Sequence, residues 1–103
     1  MPEQEKILTK NKKTQQIFKD IKPEFYFKLI DSSEIKNLLE LADALEKMSD
    51  DVFYYHVNEQ KNDFSNWIRD IFKEKDLADN IKKSNSRAEA EISILKFLVN
   101  KLR

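Results

Sequence analysis

The chain has 103 residues, with 19 basic and 19 acidic side chains and therefore no formal net charge. This length is enough for a single domain. Cysteine and glycine are both absent, which excludes disulfides, thiolate metal sites, cysteine nucleophiles and glycine-rich phosphate-binding loops. No apolar run approaches the roughly 20 residues that span a bilayer, and the N-terminal residues lack the apolar segment of a signal peptide. We therefore expect a cytoplasmic protein that does not contact membranes.

The N-terminal residues 1–22 are predicted to form an arm that precedes a single helical domain over residues 23–103. The arm contains six lysines against three acidic residues, and its few large apolar residues do not define a continuous helix face. We expect a polar, basic segment, helical or partly frayed, that ends at Pro23, because the residue before a proline disfavours helical geometry.

Residues 25–36 predict a small β-hairpin. Residues 25–30 are aromatic and branched, a composition that favours an extended strand. Asp31, Ser32 and Ser33 supply turn-forming side chains, and residues 34–36 can return as a second strand. A two-stranded hairpin is only marginally stable alone, so we expect it to pack on helices.

Helical periodicity of the apolar residues predicts most of the remaining chain to be helical. The predicted helices cover residues 38–48, 50–57, 63–74 and 87–102, with a short helical turn over 76–82. The predicted fold class is therefore mainly α, a compact bundle of four to five short helices with one small β-hairpin at 25–36.

Helix-capping residues mark where several of these helices begin. Asn37 followed by Glu40, and Ser86 followed by Glu89, have the spacing of a capping box. Ser49 precedes two aspartates, which suit the positive end of a helix dipole, and Asp76 is a candidate cap for the short turn.

The last predicted helix carries a wide apolar stripe with heptad-like spacing. Its members recur every four and three residues: Ala88, Ile92, Leu95, Val99 and Leu102. Ile94 and Leu98 widen this stripe, and Phe97 lies outside it. Two heptads are too few to identify a coiled coil. The stripe is therefore predicted either to close the core or to form, in addition, a seam with a partner protein or a second copy of the chain.

The candidate interaction surface combines this helix with two neighbouring tyrosines. Tyr54 and Tyr55 are adjacent on a short helix and cannot both point inward. The candidate residues are Tyr54, Tyr55, Phe97, Val99 and Leu102.

His56, the only histidine, falls on the apolar face of the helix predicted over 50–57. Asp63 begins the next helix and can orient the ring. Either His56 is a semi-buried residue whose ring bonds Asp63 or a nearby backbone carbonyl across the corner between two helices, or it acts as a catalytic base, which requires access to a substrate. A single histidine without cysteine disfavours zinc. We expect no catalytic residue, no cofactor, no bound metal and no small-molecule substrate.

Residues 25–81 resemble a prokaryotic family of small proteins and modules, the domain-of-unknown-function family 5752. The similarity lies in an extended aromatic segment, a turn, Leu-Glu-Leu, Tyr-His, Asp-Phe-x-x-Trp-Ile and Leu-Ala. These correspond to residues 25–29, 31–33, 39–41, 55–56, 63–68 and 77–78. Ser32 stands where the pattern has glycine. The resemblance implies a mostly helical fold without an established activity, and it implies that His56, Asp63 and Trp67 belong to the common framework.

Three functions follow as hypotheses. The first is a non-enzymatic module that binds a protein partner or a second copy through the last helix and the tyrosines. The second is binding of RNA or a ribonucleoprotein through the C-terminal helix and the basic arm, whose candidate patch is Lys10, Lys12 and Lys13. The third is an enzyme that uses His56.

Overall fold

The computed structural model describes residues 18–103. Two short antiparallel strands, β1 (Phe27–Lys28) and β2 (Glu34–Ile35), follow a 3-10 turn over Pro23–Phe25. The helices of the described residues are α1 (Leu38–Lys47), α2 (Asp50–His56), α3 (Asp63–Trp67), α4 (Lys75–Lys83) and α5 (Arg87–Leu102). The predicted mainly α fold with one small hairpin is confirmed. No helix within residues 18–103 is long and apolar enough to cross a membrane.

The capping residues begin three helices as their spacing predicts. The side chains of Asn37, Ser49 and Ser86 accept hydrogen bonds from the backbone N–H groups of Glu40, Val52 and Glu89. The carboxylates of Glu40 and Glu89 reach back to the backbone N–H groups of Lys36 and Asn85, just before each cap. Each of these two starts therefore satisfies one donor that a helix otherwise leaves unpaired and a second donor on the residue before the cap.

The segment after Asp63 differs from the single α-helix predicted over residues 63–74. α3 ends at Trp67 and continues as a π-helical turn over Ile68–Phe72, which Lys73 ends in the left-handed region with φ 58°. The wider turn keeps Trp67 and Ile68 buried and leaves Ile71 half-buried. Apolar spacing alone does not distinguish a π turn from an α turn, which is why the sequence predicted one regular helix.

Two buried polar side chains connect α3 to α4, and one predicted cap is absent. Ser65 is buried, and its hydroxyl donates to the carbonyl oxygen of Ala78 at 2.7 Å. The buried amide of Asn62 donates to the carbonyl oxygen of Ile81 at 3.3 Å. α4 begins at Lys75 without a side-chain cap, so Asp76 does not cap it. Two polar side chains thus join α3 to α4.

The hairpin pairs Phe27 with Ile35 and Lys28 with Glu34, and its turn places Ser32 in a region that favours glycine. Ser32 has φ 75°, where the Cβ of any other residue is unfavourable. Asp31 accepts hydrogen bonds from the hydroxyl and the backbone N–H of Ser33, and the hydroxyl bond is the main reason that the pKa of the Asp31 carboxyl lies below its usual value.

The hairpin is held against the helices by ring contacts and hydrogen bonds. The ring of Phe27 stacks on that of Phe64, with centroids 4.9 Å apart. The indole N–H of Trp67 donates to the carbonyl oxygen of Phe25 at 2.8 Å. The two strands are therefore stabilised by α3, as their short length requires.

Replacing Ser32 by glycine is expected to stabilise the protein. Removing the Cβ relieves a left-handed conformation that costs roughly 1 kcal/mol for a non-glycine residue, while glycine raises the entropy of the unfolded chain by somewhat less. We expect a net gain of about 0.5 kcal/mol in the free energy of unfolding, measured by urea denaturation. Ser32→Ala, which keeps the Cβ, is the control and should show no gain. A glycine variant less stable than the alanine variant would contradict the turn geometry.

Candidate functional site

The last helix packs on the rest of the domain through residues spaced four apart. α5 lies mainly against α1 and also against α4. Its fully buried side chains are Ala90, Ile94 and Leu98. They belong to the same apolar cluster as the buried leucines of α1. This packing fixes the rotation of α5 about its own axis.

The stripe predicted from heptad spacing faces outward instead of closing the core. Ile92, Leu95, Val99 and Leu102 are 50%, 39%, 49% and 62% exposed, respectively, and Ala88 is exposed as well. At about 100° per residue, the centres of the buried and outward faces are about 120° apart around the helix. We call the outward set Ala88, Ile92, Leu95, Val99 and Leu102 the α5 stripe. Of the residues predicted for the widened stripe, Ile94 and Leu98 close the core together with Ala90, whereas the members of the α5 stripe do not.

A shallow groove of about 340 Å³ runs beside the stripe. Ile92, Leu95 and Val99 supply its apolar wall, and the basic side chains Lys96 and Arg103 border it. The α5 stripe is therefore a continuous apolar surface with charged residues at its edge.

The other candidate interaction residues lie in different surroundings. Tyr54 and Tyr55 on α2 are both about half exposed. The rings of Tyr54 and Phe53 are nearly perpendicular, and Lys61 Nζ lies 5.4 Å from the Tyr55 ring centroid. Phe97 is half-buried against the core and is therefore less available than Val99 or Leu102.

His56 and Asp63 lie together at the corner between α2 and α3. His56 Nδ1 is 3.0 Å from Asp63 Oδ2, and the backbone N–H of Ile30 donates to His56 Nε2 at 3.2 Å. Because a backbone N–H can only donate, Nε2 accepts, so the ring proton lies on Nδ1 and points to the carboxylate. Lys61 Nζ, 3.1 Å from the same Asp63 oxygen, adds a second, more exposed partner.

The surroundings of the His56 ring leave neither nitrogen free for a substrate. The residue is 5% exposed, and the rings of Phe27, Tyr55 and Phe64 lie with centroids 5.0–5.4 Å from it. A catalytic base needs a nitrogen within reach of the proton that it abstracts. In this arrangement His56 instead connects the hairpin turn, α2 and the start of α3.

The remaining sequence-predicted groups lie elsewhere. Lys10, Lys12 and Lys13, and with them most of the predicted arm, lie outside the described residues. Within residues 18–103, no three His, Asp or Glu side chains are arranged to hold a metal ion.

Two features of these sites could not be found by sequence reasoning. The contact of Ile30 with His56 uses a backbone donor 26 residues away, for which side-chain patterns carry no signal. Arg87, half-buried, donates to the carbonyl oxygens of Leu45 and Glu46 at the end of α1. A cation at a helix C-terminus is a known stabilising pattern, but its partner helix is 41–42 residues distant.

Comparison with known proteins confirms the family that the sequence resembles. A family model described as a family of unknown function, DUF5752, matches residues 3–100. No curated protein matches the chain, and no solved structure does.

A double-mutant cycle between His56 and Asp63 should reveal a strong pairwise interaction. A hydrogen bond to a charged, partly buried carboxylate is worth about 1.5 kcal/mol, so we expect a coupling energy of that size from urea denaturation of His56→Ala, Asp63→Ala and the double variant. The same cycle with Lys61→Ala is the control, since exposed ion pairs contribute about 0–1 kcal/mol. A His56 coupling no larger than that of Lys61 would contradict the proposed tautomer and bond.

Proposed function

Because the chain belongs to DUF5752, a family of unknown function, we propose its role from the surface of the domain: it is a non-enzymatic protein-interaction module that binds through the α5 stripe. The carrying observation is that four large apolar side chains of one helix are between 39% and 62% exposed along a single line.

A continuous apolar line differs from scattered exposed residues. Single apolar side chains on a surface are normal and require no explanation. Ile92, Leu95, Val99 and Leu102 instead recur every three and four residues, so they adjoin one another along α5. Such a surface fits a partner that supplies an apolar groove or a helix of its own. Partners of this kind bind an amphipathic helix through side chains at this spacing.

The free energy available from the stripe indicates the strength of the contact. Complete burial of a large aliphatic side chain contributes about 1.5–3 kcal/mol, so covering the exposed half of each of four side chains contributes about 1 kcal/mol per residue. Association costs at least about 4 kcal/mol in lost freedom. The stripe alone therefore supports a weak, reversible contact, and a tight complex requires polar contacts at its edges.

The helix that presents the stripe is firmly held. Ser86 caps its start, Arg87 bonds to the end of α1, and the opposite face is part of the core. Little ordering of α5 is needed when a partner binds, which favours recognition by a preformed surface.

The non-enzymatic part of the proposal is supported by the surroundings of His56. Both ring nitrogens are used inside the domain. Asp50 and Asp63 occupy first turns of helices, where caps and helix dipoles account for acidic residues.

Photo-crosslinking tests this proposal while the partner is still unidentified. A photoreactive amino acid replaces Val99 in the full chain, expressed in its native cells, and the control replaces Leu39, a leucine on α1 with nearly the same exposure (47% against 49%). We expect one adduct of defined mass at position 99, absent from position 39 and removed by Leu95→Glu. The thermal unfolding midpoint of Leu95→Glu should remain close to that of the wild type, because the side chain lies outside the core.

The proposal would be contradicted in either of two ways. One is the absence of adducts at position 99. The other is the same mixture of adducts at positions 99 and 39, which would show that the stripe is no more adhesive than any exposed leucine.

A further inference from the structure

We infer that the partner of the α5 stripe is a second copy of the same chain, and that the two α5 helices pair in parallel as a short two-stranded coiled coil. This inference rests on the proposed function and identifies the partner that covers the α5 stripe. Four observations carry it: the residue types along the stripe, the charges beside it, the mismatch of the reverse orientation, and the charge of the chain's own N-terminal segment.

The first observation is the alternation of residue types in the outward heptads. With Ile92 and Val99 at the a positions, Leu95 and Leu102 are the d positions, and Ala88 is the preceding d position. β-Branched residues at a with leucine at d favour parallel two-stranded pairing. In that arrangement each side chain fits between four residues of the facing helix. The a and d residues are exposed while α5 packs on the core through Ala90, Ile94 and Leu98, so this seam is available.

The second observation is charge complementarity across the seam. In the same heptads Glu91 is a g position and Lys96 is the e position five residues later. Parallel pairing places g of one helix beside e of the next heptad on the other, so Glu91 of each copy faces Lys96 of the other. Glu91 is half-buried and Lys96 exposed, and among residues 18–103 neither is in an ion pair with its own chain.

The third observation is that antiparallel pairing fits less well. It would align Ile92 with Leu102 of the other copy and place Lys96 opposite Lys96, a like-charge contact at the centre. Its favourable charge pair would be Glu89 with Arg103. Glu89 already accepts a hydrogen bond from the backbone N–H of Asn85, and Arg103 lies beyond the last helical residue.

The fourth observation concerns the alternative that the chain's own N-terminal segment covers the α5 stripe. Residues 1–17 contain four lysines and two glutamates, a net positive charge. The edge of the groove is also basic, through Lys96 and Arg103. A second α5 supplies Glu91 to this edge, whereas the N-terminal segment brings like charge.

Disulfide trapping tests the orientation, because the chain has no cysteine of its own. Ala88→Cys introduces a thiol at an outward d position and leaves all four large apolar residues in place. Parallel pairing brings the two thiols together; antiparallel pairing puts them at opposite ends of helices about 24 Å long. Under mild oxidation we expect Ala88→Cys to form covalent dimers about tenfold faster than Leu39→Cys, because pairing raises the effective thiol concentration.

Three further variants make the result specific. Val99→Glu in the Ala88→Cys background should reduce the rate to that of Leu39→Cys. In the same background, Lys96→Glu should slow disulfide formation, because it places Glu91 opposite a like charge. Combining Glu91→Lys with Lys96→Glu should restore the rate of disulfide formation. Circular dichroism of each variant confirms that the fold is retained.

The inference is overturned if Ala88→Cys dimerises no faster than Leu39→Cys. It is also overturned if an equal mixture of Ile92→Cys and Leu102→Cys yields mainly the mixed dimer, which is the antiparallel product. If position 99 still photo-crosslinks to a different protein, the interaction module stands and the second-copy partner fails. If position 99 yields no adduct, both fail.

Discussion

The contact between α5 and α1 determines what the domain presents to its surroundings. Ala90, Ile94 and Leu98 are spaced four residues apart and form a narrow face that is completely buried. Interiors are packed as densely as organic crystals, so α5 cannot rotate without opening voids beside these side chains. Arg87, which caps the end of α1, also fixes the start of α5. The outward direction of the α5 stripe is a consequence of this packing.

A second constraint is the corner around His56, which joins parts of the chain that are distant in sequence. The imidazole accepts from Ile30 in the hairpin turn and donates to Asp63 at the start of α3. In the described part of the chain, every buried polar side-chain atom has a hydrogen-bond partner, as the cost of an unpaired buried group requires. The hydrogen bonds of His56 and Asp63, like those of Asn62 and Ser65, therefore join elements of the domain to one another.

Much of the fold could be predicted because it depends on local signals. The caps at Asn37, Ser49 and Ser86 and the heptad spacing of α5 are readable within a few residues of sequence. Which face of α5 points into the core could not be predicted from the sequence, because its heptad stripe and its four-residue face are both apolar. The choice between these two faces depends on the surfaces of α1 and α4. The π turn over Ile68–Phe72 and the backbone contact from Ile30 likewise depend on tertiary packing and leave no pattern in the sequence.

The central claim is that two copies of the chain associate through the outward face of α5. Dilution of isotope-labelled protein, followed by two-dimensional amide NMR, tests it most directly because the backbone amides along the chain are observed at once. We expect concentration-dependent shifts to cluster at Ile92, Leu95, Val99 and Leu102, with α1 and the His56 corner unchanged. Spectra that do not change with concentration would contradict self-association. Shifts concentrated at Tyr54 and Tyr55 would assign the contact to a different face of the domain.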